Sequence, residues 1–136
     1  MIRAVVHDDL FLSVPSSAAG KDDLPIARDL ADTLKANSAI CVGMAANMIG
    51  FSKRIIAIAP TGLPMLMLNP CILHKSTPYT TEEGCLCHTG TKSVKRYQKI
   101  TVRWEDSDFQ EHTADFEGFT AQIIQHEMDH LEGILI

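Results

Sequence analysis

Residues 119–131 read FTAQIIQHEMDHL, and this stretch decides both the fold and the chemistry. A helical segment is expected from Phe119 to about Leu131, entered after Gly118. At about 100° per residue, His130 comes round to within about 40° of His126, one turn on. Both imidazoles then point to the same side and can bind one metal ion. Glu127 lies next to that face, placed to take a proton from metal-bound water. Phe119 and Ile123, seven and three residues before His126, share its stripe, so the histidines are expected to continue an apolar, inward-facing surface. Two uncompensated imidazoles there would be costly, and a metal ion supplies the compensation.

Upstream of this helix the periodicity changes. Ile100, Val102 and Trp104 alternate with Thr101, Arg103 and Glu105, as a half-buried strand does. The Asp106-Ser107-Asp108 cluster then turns the chain into a partner strand from His112 to Phe116. Arg54 to Ala59 and Met65 to Leu68 are short apolar strands bounded by Pro60, Gly62, Pro64 and Pro70. Nearer the start, Ser13 to Asp23 reads as a loop. Asp22 and Asp23 offer an N-cap, Pro25 sits in the first turn, and Ala27, Leu30, Ala31 and Leu34 recur at helical spacing until Asn37. A helix is expected from Leu24 to Ala36. Helix, strands and helix together predict an α+β fold.

The 136 residues fit one domain, spanning 1–136, and 46% hydrophobic with 21% charged residues is an ordinary globular balance. Twelve Lys and Arg against seventeen Asp and Glu give a net charge of −5. No basic stretch exceeds Lys53-Arg54 or Lys95-Arg96, which argues against binding nucleic acid through its phosphates. No run approaches the roughly 20 apolar residues that span a bilayer, and Asp8 and Asp9 interrupt any signal-like segment. A cytoplasmic protein without a membrane partner is expected. The cysteines, Cys41, Cys71, Cys85 and Cys87, are then reduced thiols or metal ligands rather than disulfides.

Two histidines leave a catalytic metal site one protein ligand short. Only six residues follow His130, and Glu132 is too close on the helix to swing back, so the third ligand is sought upstream. Cys85, within Glu82-Glu83-Gly84-Cys85-Leu86-Cys87, is the outstanding candidate: Gly84 permits close backbone approach and a thiolate suits a soft divalent metal. Cys87, two residues on, is expected to face the other way along an extended segment and to be a packed thiol. Glu83 can accept the spare ring N–H of a ligating histidine.

Three separated pieces, Cys41-Val42-Gly43-Met44-Ala45-Ala46-Asn47-Met48-Ile49-Gly50, Glu83-Gly84-Cys85-Leu86-Cys87 and Gln125-His126-Glu127-Met128-Asp129-His130-Leu131, resemble in order and spacing the three signature motifs of peptide deformylases. The likeness extends from His7-Asp8-Asp9-Leu10 through Leu68-Asn69-Pro70 to the C-terminus. It implies a compact single domain with antiparallel or mixed sheets around a central C-terminal helix. It also implies one divalent ion held by Cys85, His126 and His130, natively often Fe²⁺, with Zn²⁺, Ni²⁺ or Co²⁺ as alternatives. The implied reaction removes the N-formyl group from nascent or short peptides beginning with formyl-methionine. Glu127 would carry the proton, and the backbone N–H of Leu86 would donate to the oxyanion. By motif, the backbone of Val42, Gly43 and Gly84 would pair with the extended peptide, and Phe119 and Ile123 would wall the methionine pocket. Arg96 stands where the family has an arginine, and its pairing with Asp129 would brace the two pieces that supply ligands.

The chain departs from the family pattern at four positions. Met48 replaces the glutamine that supplies a second oxyanion donor, and a thioether donates no hydrogen bond; slowed turnover is expected. Asn47 stands for the usual Pro, Cys41 for a Gly and Cys87 for a Ser. The alternatives are an amidohydrolase for another acylated substrate and a metal-binding homologue that holds formylated peptides without turnover.

Overall fold

The computed structural model describes residues 1–87 and 89–136. At its centre the apolar run Ile55-Ile56-Ala57-Ile58 forms strand β2 (Ile55–Ile58), buried on both faces. Alternation sends Ile55 and Ala57 into one cluster with Ala27, Leu30 and Leu34, and Ile56 and Ile58 into a second with Ile123, Ile124 and Leu131. Helix α2 (Leu24–Ala36) supplies the first of these clusters and helix α3 (Gly118–Leu131) the second. The sheet is thus covered on both sides, which is why β2 has no polar face.

The five strands pair antiparallel with their neighbours, in the order β1 (Gly43–Ala45), β2, β3 (Met65–Glu83), β4 (Lys92–Glu105) and β5 (Glu111–Glu117). A short helix α1 (Asp9–Leu12) precedes them, capped by the Asp8 carboxylate, which accepts from the Leu10 and Phe11 amides. The α+β expectation and the helix over Leu24–Ala36 hold.

Two expectations are corrected. Pro70 does not end the strand begun at Met65. The register shifts between Leu68 and Cys71, so the residue without an N–H falls in a bulge where the ladder asks for none. Asn69, at φ 51°, holds that bulge: its amide donates to the Ala19 carbonyl (3.0 Å) and Glu105 (2.9 Å) and accepts from the Ala19 amide (2.7 Å). Strand β3 therefore continues to Glu83, and β4 begins at Lys92, eight residues before the alternation that revealed it. Asp23 occupies the N-cap of α2, but its carboxylate accepts from the Gly20 amide (2.8 Å) instead of capping the helix.

The long β3–β4 hairpin has a functional consequence. Past Glu83 its tip carries Cys85 and Cys87 out to α3.

Candidate metal centre and active site

Helix α3 packs its Gln122, His126 and His130 stripe, one residue per turn, toward the hairpin tip. His130 Nε2 lies 3.3 Å from His126 Nε2 and 3.3 Å from Cys85 Sγ. The donor atoms of Cys85, Cys87 and His130 lie within 4.8 Å of one another, as do those of His126, Glu127 and His130, so His130 is common to both groups.

The tautomer of His126 follows from its other nitrogen. Nδ1 is 2.7 Å from Glu83 Oε1, which takes the ring N–H and leaves the Nε2 lone pair for a metal. Glu83 is in turn held by Arg96, with Nε at 3.0 Å and Nη2 at 2.7 Å, and by Gln122 Nε2 at 2.9 Å. Burial works against its ionisation, but donation from His126, Arg96 and Gln122 outweighs it and holds the carboxyl at about 2. Arg96 Nη1 reaches Asp129 at 2.7 Å, inside ion-pair distance. One buried guanidinium, 4% exposed, therefore links the hairpin, the sheet and α3. Arg96→Ala leaves Glu83 without its buried countercharge, and a loss of about 3–5 kcal/mol is expected in urea unfolding of the metal-free protein; a loss near zero would refute the brace.

Burial is the largest influence on Glu127 and pushes its carboxyl up to about 7. Its Oε1 has no hydrogen-bond partner among the described residues. The Cys85 thiol is pulled far below its ordinary value by hydrogen bonding from Cys87 first, and from His126 and His130, against burial. A thiol so disposed to ionise is the form in which a cysteine binds a divalent ion. A thiolate, two imidazoles with converging nitrogens and a buried histidine–carboxylate pair behind them fit a divalent ion.

A cleft of about 230 Å³ opens over this centre, lined by Val42, Gly43, Gly84, Leu86, Ile123 and Glu127 among others. Gly43 is required there by space: a Cβ would come within 2.7 Å of Ile123 Cγ2 and 2.8 Å of Glu127 Oε2. Phe119 reaches the cleft but is 58% exposed, so it sits on the rim and the inward stripe begins at Ile123. That corrects the apolar surface expected from Phe119 onward.

Cys87 is the larger correction. Leu86 and Cys87 lie in a turn, not an extended segment, so residues two apart come to the same side. Cys87 is 2% exposed, and its Sγ is 3.1 Å from Cys85 Sγ. Cys41 needs no glycine conformation, and its thiol donates to the Gly43 carbonyl at 2.9 Å.

Residues 46–49 form a 3-10 turn. Within it Met48 is fully buried and its Sδ accepts from the Ala45 amide at 3.5 Å. Asn47 Nδ2 donates to the His130 carbonyl at 2.8 Å, so this amide is tied to the end of α3. Sequence reasoning missed Gln122 and Gln125. The latter clamps Tyr97 of β4, accepting from its amide and donating to its carbonyl, both at 2.8 Å. The available signal was a polar residue one turn before His126 and another inside an apolar run.

Comparison with known proteins bears on the whole chain. The family model described as polypeptide deformylase matches residues 9–136. A peptide deformylase of Clostridium beijerinckii is 52% identical over 136 residues, covering all of both chains. Peptide deformylase 1 of Clostridium perfringens is 42% identical, over 81% of this chain and 76% of that one. A crystal structure of a peptide deformylase from Legionella pneumophila superposes with a TM-score of 0.89 at 30% identity, covering 99% of this chain and 83% of that one. A Met-Ala-Ser-bound class I type b peptide deformylase from Acinetobacter baumannii gives 0.88 at 28% identity, covering 99% and 97%. Sequence over the full length and fold over nearly all of it agree, and the chain belongs to the peptide deformylase family.

Proposed function

We propose that this metal-dependent hydrolase removes the N-formyl group from short or nascent formyl-methionyl peptides in the cytoplasm. In this reading Cys85, His126 and His130 hold one divalent ion, Fe²⁺ in the cell, and Glu127 moves the proton. The observation that carries it is the Glu127 carboxyl, 4% exposed, with one oxygen unpartnered among the described residues and burial raising it to about 7. Such a carboxyl can take a proton near neutral pH and give it back. When bound, the ion supplies Lewis acidity, lowering the pKa of water at the centre and polarising the formyl carbonyl.

The chain's own residues do the rest. Glu83 orients His126, while Arg96 and Gln122 hold Glu83. The Leu86 N–H donates to the oxyanion, and Glu127 returns its proton to the leaving amine. The backbone of Val42, Gly43 and Gly84 pairs with the extended peptide beside edge strand β1. Ile123 walls the methionine pocket and Phe119 its rim. The Met-Ala-Ser bound to the Acinetobacter relative supports a peptide of this kind as ligand.

The test is formate release from a formyl-methionyl peptide by Fe²⁺- or Ni²⁺-loaded protein. Release from another acylated amine but not from the formyl peptide would favour the related amidohydrolase, and peptide binding without release the non-enzymatic homologue. Met48→Gln is nearly isosteric, and its amide oxygen can take the Ala45 N–H now held by Sδ while the N–H₂ adds a donor. It is expected to raise kcat by about 10- to 10³-fold, the worth of one oxyanion hydrogen bond, with KM changing less. An unchanged kcat would mean that the donor is supplied elsewhere.

A further inference from the structure

We propose that Cys87 is a fourth metal ligand, which closes the centre as a Cys85–Cys87–His126–His130 site when the ion is Zn²⁺. The inference rests on the three-ligand reading above and goes beyond it. A tetrahedral zinc with Zn–S of about 2.3 Å and Zn–N of about 2.0–2.1 Å sets its donors apart by about 3.8 Å for two sulfurs, 3.5 Å for sulfur and nitrogen, and 3.3 Å for two nitrogens. The Cys85–Cys87 sulfurs are 3.1 Å apart, Cys85 Sγ and His130 Nε2 3.3 Å, and the two Nε2 atoms 3.3 Å. Among these three pairs the largest adjustment is about 0.7 Å, and because the two sulfurs group with His130 but not with His126, closing the site also needs the turn to move toward His126.

The turn is itself supported. His7 Nδ1 lies 3.2 Å from the Cys87 carbonyl, and Cys87 is 2% exposed, so its sulfur faces the donors rather than solvent. Two thiolates and two imidazoles are the ligand set of closed structural zinc sites, whereas three protein ligands leave the position where water binds. On binding, the Cys87 thiol gives its proton to solvent as the sulfur–metal bond forms, and no redox change is involved. The zinc form is thus a closed, resting state, which water or substrate opens only by displacing Cys87.

Cobalt-substituted protein provides the test, because the sulfur-to-cobalt charge-transfer band grows with the number of bound thiolates. Wild type is expected to show about twice the band per cobalt of Cys87→Ser, with metal still bound in the variant. Zinc-loaded Cys87→Ser is expected to release formate faster than zinc-loaded wild type. Cys87→Ala, measured in parallel, should match Cys87→Ser in band and rate, and a disagreement between the two would count against loss of a ligand as the cause. Equal bands in wild type and Cys87→Ser, with the band lost in Cys85→Ser, would overturn the fourth ligand and leave the three-ligand site standing. Absence of any sulfur band in the wild type would refute the Cys85 reading and the inference with it.

Discussion

Replacing Glu127 by Ala is expected to cut formate release from a formyl-methionyl peptide by about 10²- to 10⁴-fold, the range for a positioned proton carrier, with metal content unchanged. The separation follows from geometry. In the proposed reading Cys85, His126 and His130 form a complete donor set without Glu127, whose Oε1 makes no hydrogen bond among the described residues that would hold the fold together. Removing a buried carboxyl whose Oε1 has no partner among the described residues relieves desolvation rather than breaking a hydrogen bond at that oxygen, so Tm should stay level or rise as activity falls. Glu127→Gln keeps the volume beside Gly43 and still cannot accept the proton, so it should be equally impaired. Wild-type turnover in either variant would assign the proton transfer to another group.

Cys85→Ala is expected to remove the metal outright from the Fe²⁺-loaded protein. The thiolate is the only anionic member of the three-ligand set, and it sits at the hairpin tip against the two imidazoles of α3. In the Fe²⁺ form, where Cys85 is the sole thiolate ligand, its loss leaves two neutral histidines, too few for a stable catalytic site. Metal analysis after gel filtration should fall from about one ion per chain to none, and formate release should vanish with it. Cys87→Ala should retain an ion, because Cys85, His126 and His130 are intact. The opposite pattern, metal lost from the Cys87 variant and kept by the Cys85 variant, would show that the second thiol is the principal ligand. A Cys85 variant that binds Fe²⁺ as tightly as wild type, with Cys87 also replaced, would place the centre elsewhere.

Local pattern was enough where a feature depends on residues adjacent in the chain. Helical spacing identified α2, alternation found part of β4, and the four-residue interval put His126 and His130 on one side of α3. The Glu83 contact to His126 and the Arg96–Asp129 pair were legible because the chemistry of a ligating histidine and the family motif each asked for one partner. Phe119 misled because position on a helical stripe says nothing about where the packed surface ends.

The sequence by itself thus determined the helices, most of the strands and which residue types converge on the centre, since these follow from periodicity and donor chemistry over a few residues. Tertiary structure alone decided the rest. Pro70 stays within β3 because β4 lies beside a bulge that needs no N–H from it. Asn47 faces the end of α3 because residues 46–49 curl into a turn instead of running extended. Cys87 joins Cys85 because the 19-residue strand β3 and the 14-residue strand β4 deliver the hairpin tip to α3 already turned. Which way a side chain points at a turn depends on backbone angles set by contacts distant in sequence, and no local pattern of residues encodes them.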